Sequence, residues 1–216
     1  MKAIAFNASP RKNGNTATLL SKALEGAADA NAQTAMVHLY DYSFKGCISC
    51  LSCKLQAGRS YGRCAVRDEL TPLLEQAAEA DLLLLGSPVY LGAETGICRA
   101  FMERLIYPYH TYAVEPSTLF PRRIRTALFF TTGKPAKDHG DAGYNALFER
   151  GRHFMNRALG PCEVFIYDDA RLFADPSGYF CPAMDTAKKQ RHHEEIFPRE
   201  CARAFELGKT LAGALS

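Results

Sequence analysis

Cys47-Ile-Ser-Cys50-Leu-Ser-Cys53, followed by Cys64, puts four thiols on one short stretch of a chain that carries eight cysteines. A turn separates each of the first three from the next, so these three can converge on one site. Four thiolates are the donor set of an iron-sulfur cluster or of zinc. Spacing this tight is a metal pattern more than a disulfide framework. A redox-sensitive flap of free thiols, or a packed lid, is the other reading of the same residues. A second constellation is Ser9-Pro10-Arg11-Lys12-Asn13-Gly14-Asn15-Thr16. Hydroxyls, an amide and backbone N–H groups just before a helix can surround an oxyanion, and the helix dipole favours its charge. The loop lacks the G-K-[ST] ending of a triphosphate loop and the G-x-G-x-x-G of a dinucleotide fold, so a monophosphate is the better ligand. An ordinary turn capped by Asn15 or Thr16 is the competing reading.

The surrounding pattern supplies elements to position both. Lys2 to Phe6 reads as a strand feeding the first loop, and Leu19, Leu20, Ala23, Leu24 and Ala27 recur at helical spacing after it. Thr34 to Leu39 is a second strand, the cysteine loop covers about 46–64, and a helix is expected over about Asp68 to Ala80. Asp81 to Gly86 is a continuous apolar run, the mark of a strand buried on both faces. Ser87 to Glu94 is expected as a loop, followed by a helix marked by Ile97, Ala100, Phe101 and Leu105. Arg125 to Thr131 and Glu163 to Tyr167 are further strands and Tyr144 to Leu159 a further helix. A closing helix over Ala187 to Leu215 is expected to break near Pro198. Five strands alternating with helices predict an α/β fold with a parallel sheet in the order 2-1-3-4-5. Ligands of such sheets bind beyond the carboxyl ends of the strands where the order reverses, which nominates the loops after Phe6, Gly86 and Phe130.

A chain of 216 residues at 47% apolar content, without a linker or repeat, is read as one domain over 1–216. A formal charge of +3, from 26 basic and 23 acidic residues, is too mild for a nucleic-acid partner and suits a small anionic ligand. No apolar run is long enough for a membrane span and no signal peptide is seen, so a cytoplasmic protein is expected.

The first loop, Ser9 to Thr16, resembles the FMN phosphate loop of the NADPH-dependent FMN reductase family, which has a flavodoxin-like fold, a three-layer sandwich around a five-stranded parallel sheet. Gly86-Ser87-Pro88-Val89-Tyr90-Leu91-Gly92, followed by Arg99-Ala100-Phe101-Met102-Glu103-Arg104, is similar to the family's isoalloxazine loop and its next helix. The resemblance covers about Lys2 to Gly133. It implies that Ser9, Arg11, Asn13, Asn15 and Thr16 form the phosphate site and that Pro88, Val89, Tyr90 and Leu91 line the flavin ring. Thr131, Thr132 and Gly133 would meet its polar edge. The cysteine pattern resembles the iron-sulfur flavoprotein branch, in which such a motif binds a [4Fe-4S] cluster. That likeness would make Cys47, Cys50, Cys53 and Cys64 the ligands, although the ten residues from Lys54 to Arg63 form a longer gap than that branch's pattern.

The resemblance implies an FMN-dependent oxidoreductase that takes electrons from NAD(P)H or a redox protein and passes them to a cluster, a quinone-like molecule or a second protein. The alternatives are an FMN-binding carrier without small-substrate turnover and a thiol or zinc redox sensor. Cys98, Cys162, Cys181 and Cys201 are expected as small buried or partly buried hydrophobes. His192-His193-Glu194-Glu195 reads as a solvated helix face, and His110 and His139 as surface residues near the crevice. The connections Tyr107 to Arg123 and Asp168 to Asp185 are long enough to be lids or interface arms. Phe173, Tyr179 and Phe180 in the second would favour a homo-dimer or homo-tetramer if exposed.

Overall fold

The computed structural model of the chain describes residues 1–214; Leu215, the expected end of the closing helix, lies outside them. Five long strands, β1 (Lys2–Asn7), β2 (Gln33–His38), β3 (Leu82–Tyr90), β5 (Arg125–Thr131) and β6 (Cys162–Tyr167), form a sheet in the order β2-β1-β3-β5-β6. Every neighbouring pair of these strands is parallel. Among the long strands this is the expected 2-1-3-4-5. The sixth strand, β4 (Ala93–Glu94), pairs antiparallel with the end of β3.

The alternation of side chains along the strands sorts the helices into two layers. Ile4, Phe6, Leu83, Leu85, Leu128 and Phe130 face a core shared with α2 (Thr71–Glu79), α3 (Gly96–Ile106) and α4 (Tyr144–Ala158). Ala3, Ala5, Leu82, Leu84, Ala127 and Phe129 face the other core, with α1 (Asn15–Asp29) and α5 (Thr186–Gly213). Alanines on this second face make room for close packing, and the two helices cross backbone to backbone. A Cβ on Gly208 would lie 1.8 Å from the Ala23 carbonyl oxygen, and one on Gly26 1.9 Å from that of Phe205. Only glycine fits at either position.

Four local expectations are corrected. The segment from Ser87 is not a loop, because β3 runs on to Tyr90. Leu91 (φ 52°) and Gly92 (φ 83°) then form a two-residue turn into β4, and two consecutive positive φ values match the twist of a tight hairpin. Helix α2 starts at Thr71 rather than near Asp68, since the Asp68 side chain accepts the Leu70 N–H at 3.1 Å and its own N–H donates to Thr71 Oγ1 at 3.2 Å. That local turn competes with helix. Helix α5 passes through Pro198 unbroken. Pro198 and Glu194 are exposed, so water can solvate the carbonyl that the missing N–H leaves free. His192 and His193 are half-buried rather than solvated, their rings 5.9 Å from Tyr167 and 4.7 Å from Phe197 respectively. Among the described residues no helix is long and apolar enough to cross a membrane.

Candidate functional site

A cavity of about 860 Å³ opens beyond the carboxyl ends of β1, β3 and β5, where the strand order reverses. All twelve residues nominated from the loops after these strands line it. Arg171 and Lys189 join Arg11 as cations bordering it, and among the described residues no carboxylate does. Its volume is that of a small-molecule site, and its charge favours an anion.

The phosphate-like end is built by β1 running into α1. Buried Asn7 holds the turn, its Oδ1 accepting the Ser9 N–H at 3.0 Å, and Ser9 Oγ accepts the Arg11 N–H at 3.1 Å. Gly14 caps α1 without a side-chain bond, and the first turn carries no acid. The leading N–H groups of the helix therefore remain available at the cavity wall, at the positive end of its dipole. Thr16 Oγ1 lies 2.8 Å from Thr131 Oγ1, a buried link joining the start of α1 to the end of β5. Gly86 keeps β3 against the same helix, since a Cβ there would lie 2.7 Å from Leu20 and 2.8 Å from Thr16.

The β3–β4 hairpin forms a second wall. Ser87 Oγ accepts the Thr95 N–H at 3.0 Å, and Thr95 Oγ1 donates to the Ala8 carbonyl at 2.9 Å, which fixes the hairpin base to the loop after β1. Pro88 and Val89 are half-buried, while Leu91 stands fully exposed at the tip. A stiff apolar edge of this kind suits a flat ring. On the third side Thr131 and Thr132 are buried, and Thr132 Oγ1 accepts the Lys134 N–H at 3.1 Å.

The roof comes from the connection after β6, the stretch Asp168 to Asp185 expected as a lid or interface arm, although of its lining residues the sequence singled out only Phe173. Arg171, Leu172, Phe173, Ala174 and Met184 border the cavity, as does Lys189 on α5. Arg11 donates to the Leu172 carbonyl at 2.6 Å and Asn15 to that of Arg171 at 3.3 Å, tying the first loop to this roof. No motif marks the individual residues; the length and aromatic content of the connection nominated the segment alone. Phe173 stacks on Tyr179 at 4.0 Å, and Tyr179 and Phe180 are exposed. His139 is corrected from surface to interior. It is buried against Tyr144 and Phe148, with Nε2 3.1 Å from the Lys134 carbonyl.

The cysteine loop lies on the opposite helical layer, beside α3. Cys47, Cys50, Cys53 and Cys64 all line one small pocket with Glu103, Arg104 and Tyr107. Cys47 and Cys50 are exposed and Cys53 is buried. Backbone and hydroxyl donation from Ser52 lowers the Cys50 thiol below its ordinary pKa, whereas burial raises that of Cys53. Leu51 is left-handed (φ 57°) and leads directly into the 3-10 turn Ser52–Lys54, in which the Lys54 N–H donates to the Leu51 carbonyl at 2.8 Å.

Two cations hold this loop. Arg104 is almost completely buried; its Nε donates to Cys64 Sγ at 3.3 Å and its two Nη groups form a fork with Asp68. Lys54 donates to the carbonyls of Tyr107, Pro108 and His110. Among the described residues no three of His, Cys, Asp or Glu are grouped as ligands of a single metal ion. The remaining cysteines follow expectation: Cys98 and Cys162 are buried thiols pushed up to about 12 and about 11 by desolvation, and Cys181 and Cys201 are partly buried.

The family model described as NADPH-dependent FMN reductase matches residues 1–136. The chain is 36% identical over 104 residues to an iron-sulfur flavoprotein of Methanocaldococcus jannaschii, covering 48% of this chain and 51% of that protein. It is 35% identical over 104 residues to one of Archaeoglobus fulgidus, covering 48% of each. The chain thus spans about half the length of the curated relatives it matches. In fold it is similar to the NAD(P)H:quinone oxidoreductase of Methanothermobacter marburgensis, with a TM-score of 0.72 at 16% identity over 98% of both chains. The strand order, the cavity at its reversal point and the match over 1–136 lead to one assignment: the chain belongs to the NADPH-dependent FMN reductase family.

Proposed function

We propose that this chain is a cytoplasmic FMN-dependent oxidoreductase that takes electrons from NAD(P)H or a redox protein. The observation that carries the reading is the single cavity joining three features: the uncapped start of α1, the apolar hairpin edge and the buried end of β5. When bound, FMN would supply the redox chemistry, accepting one hydride, which is two electrons and a proton, and giving up electrons. The protein binds and orients. Ser9, Arg11, Asn13, Asn15 and Thr16 surround the phosphate with N–H groups, hydroxyls and charge. Pro88 to Leu91 support one face of the ring and exclude water from it, and the segment Thr131 to Gly133 offers its backbone to the polar edge.

Cys47, Cys50, Cys53 and Cys64 are the thiolate set that a [4Fe-4S] cluster takes and they border one pocket, although they are not gathered as ligands of a single ion as they stand. A cluster held there would supply single-electron exchange. The exposed aromatic roof at Tyr179 and Phe180 favours a homo-dimer or homo-tetramer with that face covered.

The test is the visible spectrum of protein purified without oxygen, before and after denaturation. A flavin spectrum lying over a broad iron-sulfur band is expected. A flavin alone would remove the cluster from the proposal, and failure to bind added FMN would overturn it. Steady-state NAD(P)H oxidation with a dissolved acceptor then separates an enzyme from a carrier.

A further inference from the structure

Lys189 and Asp169 form a buried ion pair at the cavity edge that the matched stretch 1–136 does not include. Lys189 Nζ lies 2.5 Å from Asp169 Oδ1 and 2.6 Å from the Gly133 carbonyl oxygen, and the two side chains are 12% and 11% exposed. An ammonium carries three N–H donors, two of which are committed here, and Lys189 itself lines the cavity. Any ligand that meets Gly133 therefore meets this charge, away from the screening of bulk water.

The counter-charge is held firmly. Asp169 is a non-glycine residue in the left-handed region (φ 46°), a conformation that aspartate tolerates better than most residues. Its N–H donates to the Lys134 carbonyl at 3.1 Å, and the next N–H, that of Ala170, to the Thr132 carbonyl at 2.9 Å. Burial pushes the Asp169 carboxyl up, but the hydrogen bond and charge of Lys189, together with the charges of His192 and Lys188, outweigh it and hold it below the ordinary range. Arg11 and Arg171 bond the Leu172 carbonyl and Gln190, so of the three lining cations Lys189 is the one bonded to Gly133.

We propose that Lys189, opposed by Asp169, sets how strongly the cavity prefers reduced over oxidised FMN. The inference rests on the FMN reading above. Adding two electrons and one proton to a flavin leaves one negative charge on the ring, which a cation at the polar edge stabilises and a carboxylate opposes. Lys189 is thus a positioning and charge-setting residue for the cofactor.

The experiment measures the affinities for oxidised and dithionite-reduced FMN, and the midpoint potential of the FMN-loaded protein. Wild type is compared with Lys189→Gln, Lys189→Arg and Asp169→Asn. Lys189→Gln is expected to reduce the preference for reduced FMN about tenfold, a potential about 30 mV more negative for a two-electron couple. Asp169→Asn should move it the opposite way, and Lys189→Arg should stay near wild type. A packing role would move Lys189→Gln and Asp169→Asn in the same direction or not at all, and either result overturns the inference. If Lys189→Gln does not fold, Asp169→Asn decides alone: a more positive potential supports the proposal, and an unchanged or more negative one overturns it. Wild type that binds no FMN overturns the FMN reading itself, a separate failure from an unchanged preference in the variants.

Discussion

Around the cavity, the side chains that would face a ligand stand on the ends of three paired strands and the first turn of α1, so the sheet register sets their spacing. The cysteine loop has no such frame. Between Gly46 and Cys64 its only regular structure is the short turn Ser52–Lys54, and its placement comes from side chains reaching in from elsewhere. Arg104 anchors Cys64, Glu103 accepts the Cys47 N–H at 3.0 Å, and Lys54 fastens the loop to the connection after α3. The contrast is between a site whose geometry is distributed over many backbone bonds and one that depends on a few charged side chains, of which Arg104 is buried. The first should tolerate the loss of any single tie, and the second should not.

The largest expected effect tests the second half of that contrast. Arg104→Met leaves Asp68 without its fork and Cys64 without its donor, and breaking one side of a buried pair costs about 3–5 kcal/mol. Urea unfolding measures it; a loss below about 1 kcal/mol would show that the loop is held by something other than its cation. Thr16→Val is the matching probe of the cavity. It removes a hydroxyl from both the Thr131 link and the proposed phosphate site, and should weaken FMN binding roughly tenfold or more while costing only about 1 kcal/mol of stability. An equal loss of stability from both variants would erase the distinction.

The smallest effect is set by pH. The Arg104 hydrogen bonds and charge outweigh burial and hold the Asp68 carboxyl below its ordinary range. Its stabilisation is therefore complete at neutral pH and lost as pH falls from about 4 through the depressed folded value. Amide exchange over residues 46–68 should rise in that acid window in wild type and be raised already at neutral pH in Asp68→Asn. Equal exchange in the two proteins at neutral pH would remove Asp68 from the account.

Much of the frame was legible because it is written in local periodicity. Leu82 to Leu85 is apolar on both faces because helices cover both sides of β3, and the start of α1 shows in the change from a polar loop to helical spacing. The β3–β4 hairpin was not legible, because a leucine at positive φ is an uncommon first residue for such a turn. The unbroken course of α5 was hidden too, since whether Pro198 stops a helix depends on whether its freed carbonyl reaches water.

The sequence by itself determined the alternation of strands and helices, the three strand ends that open on the cavity and the spacing of four cysteines, since each rests on residues close together in the chain. Tertiary structure alone decided which distant groups complete them. Thr16 meets Thr131, Lys189 meets Gly133 and Asp169, and Arg104 meets Cys64 and Asp68. These are pairings of single polar groups that carry no periodicity and no motif. They exist because burial takes water away from these donors and charges, and the packed fold supplies partners in its place.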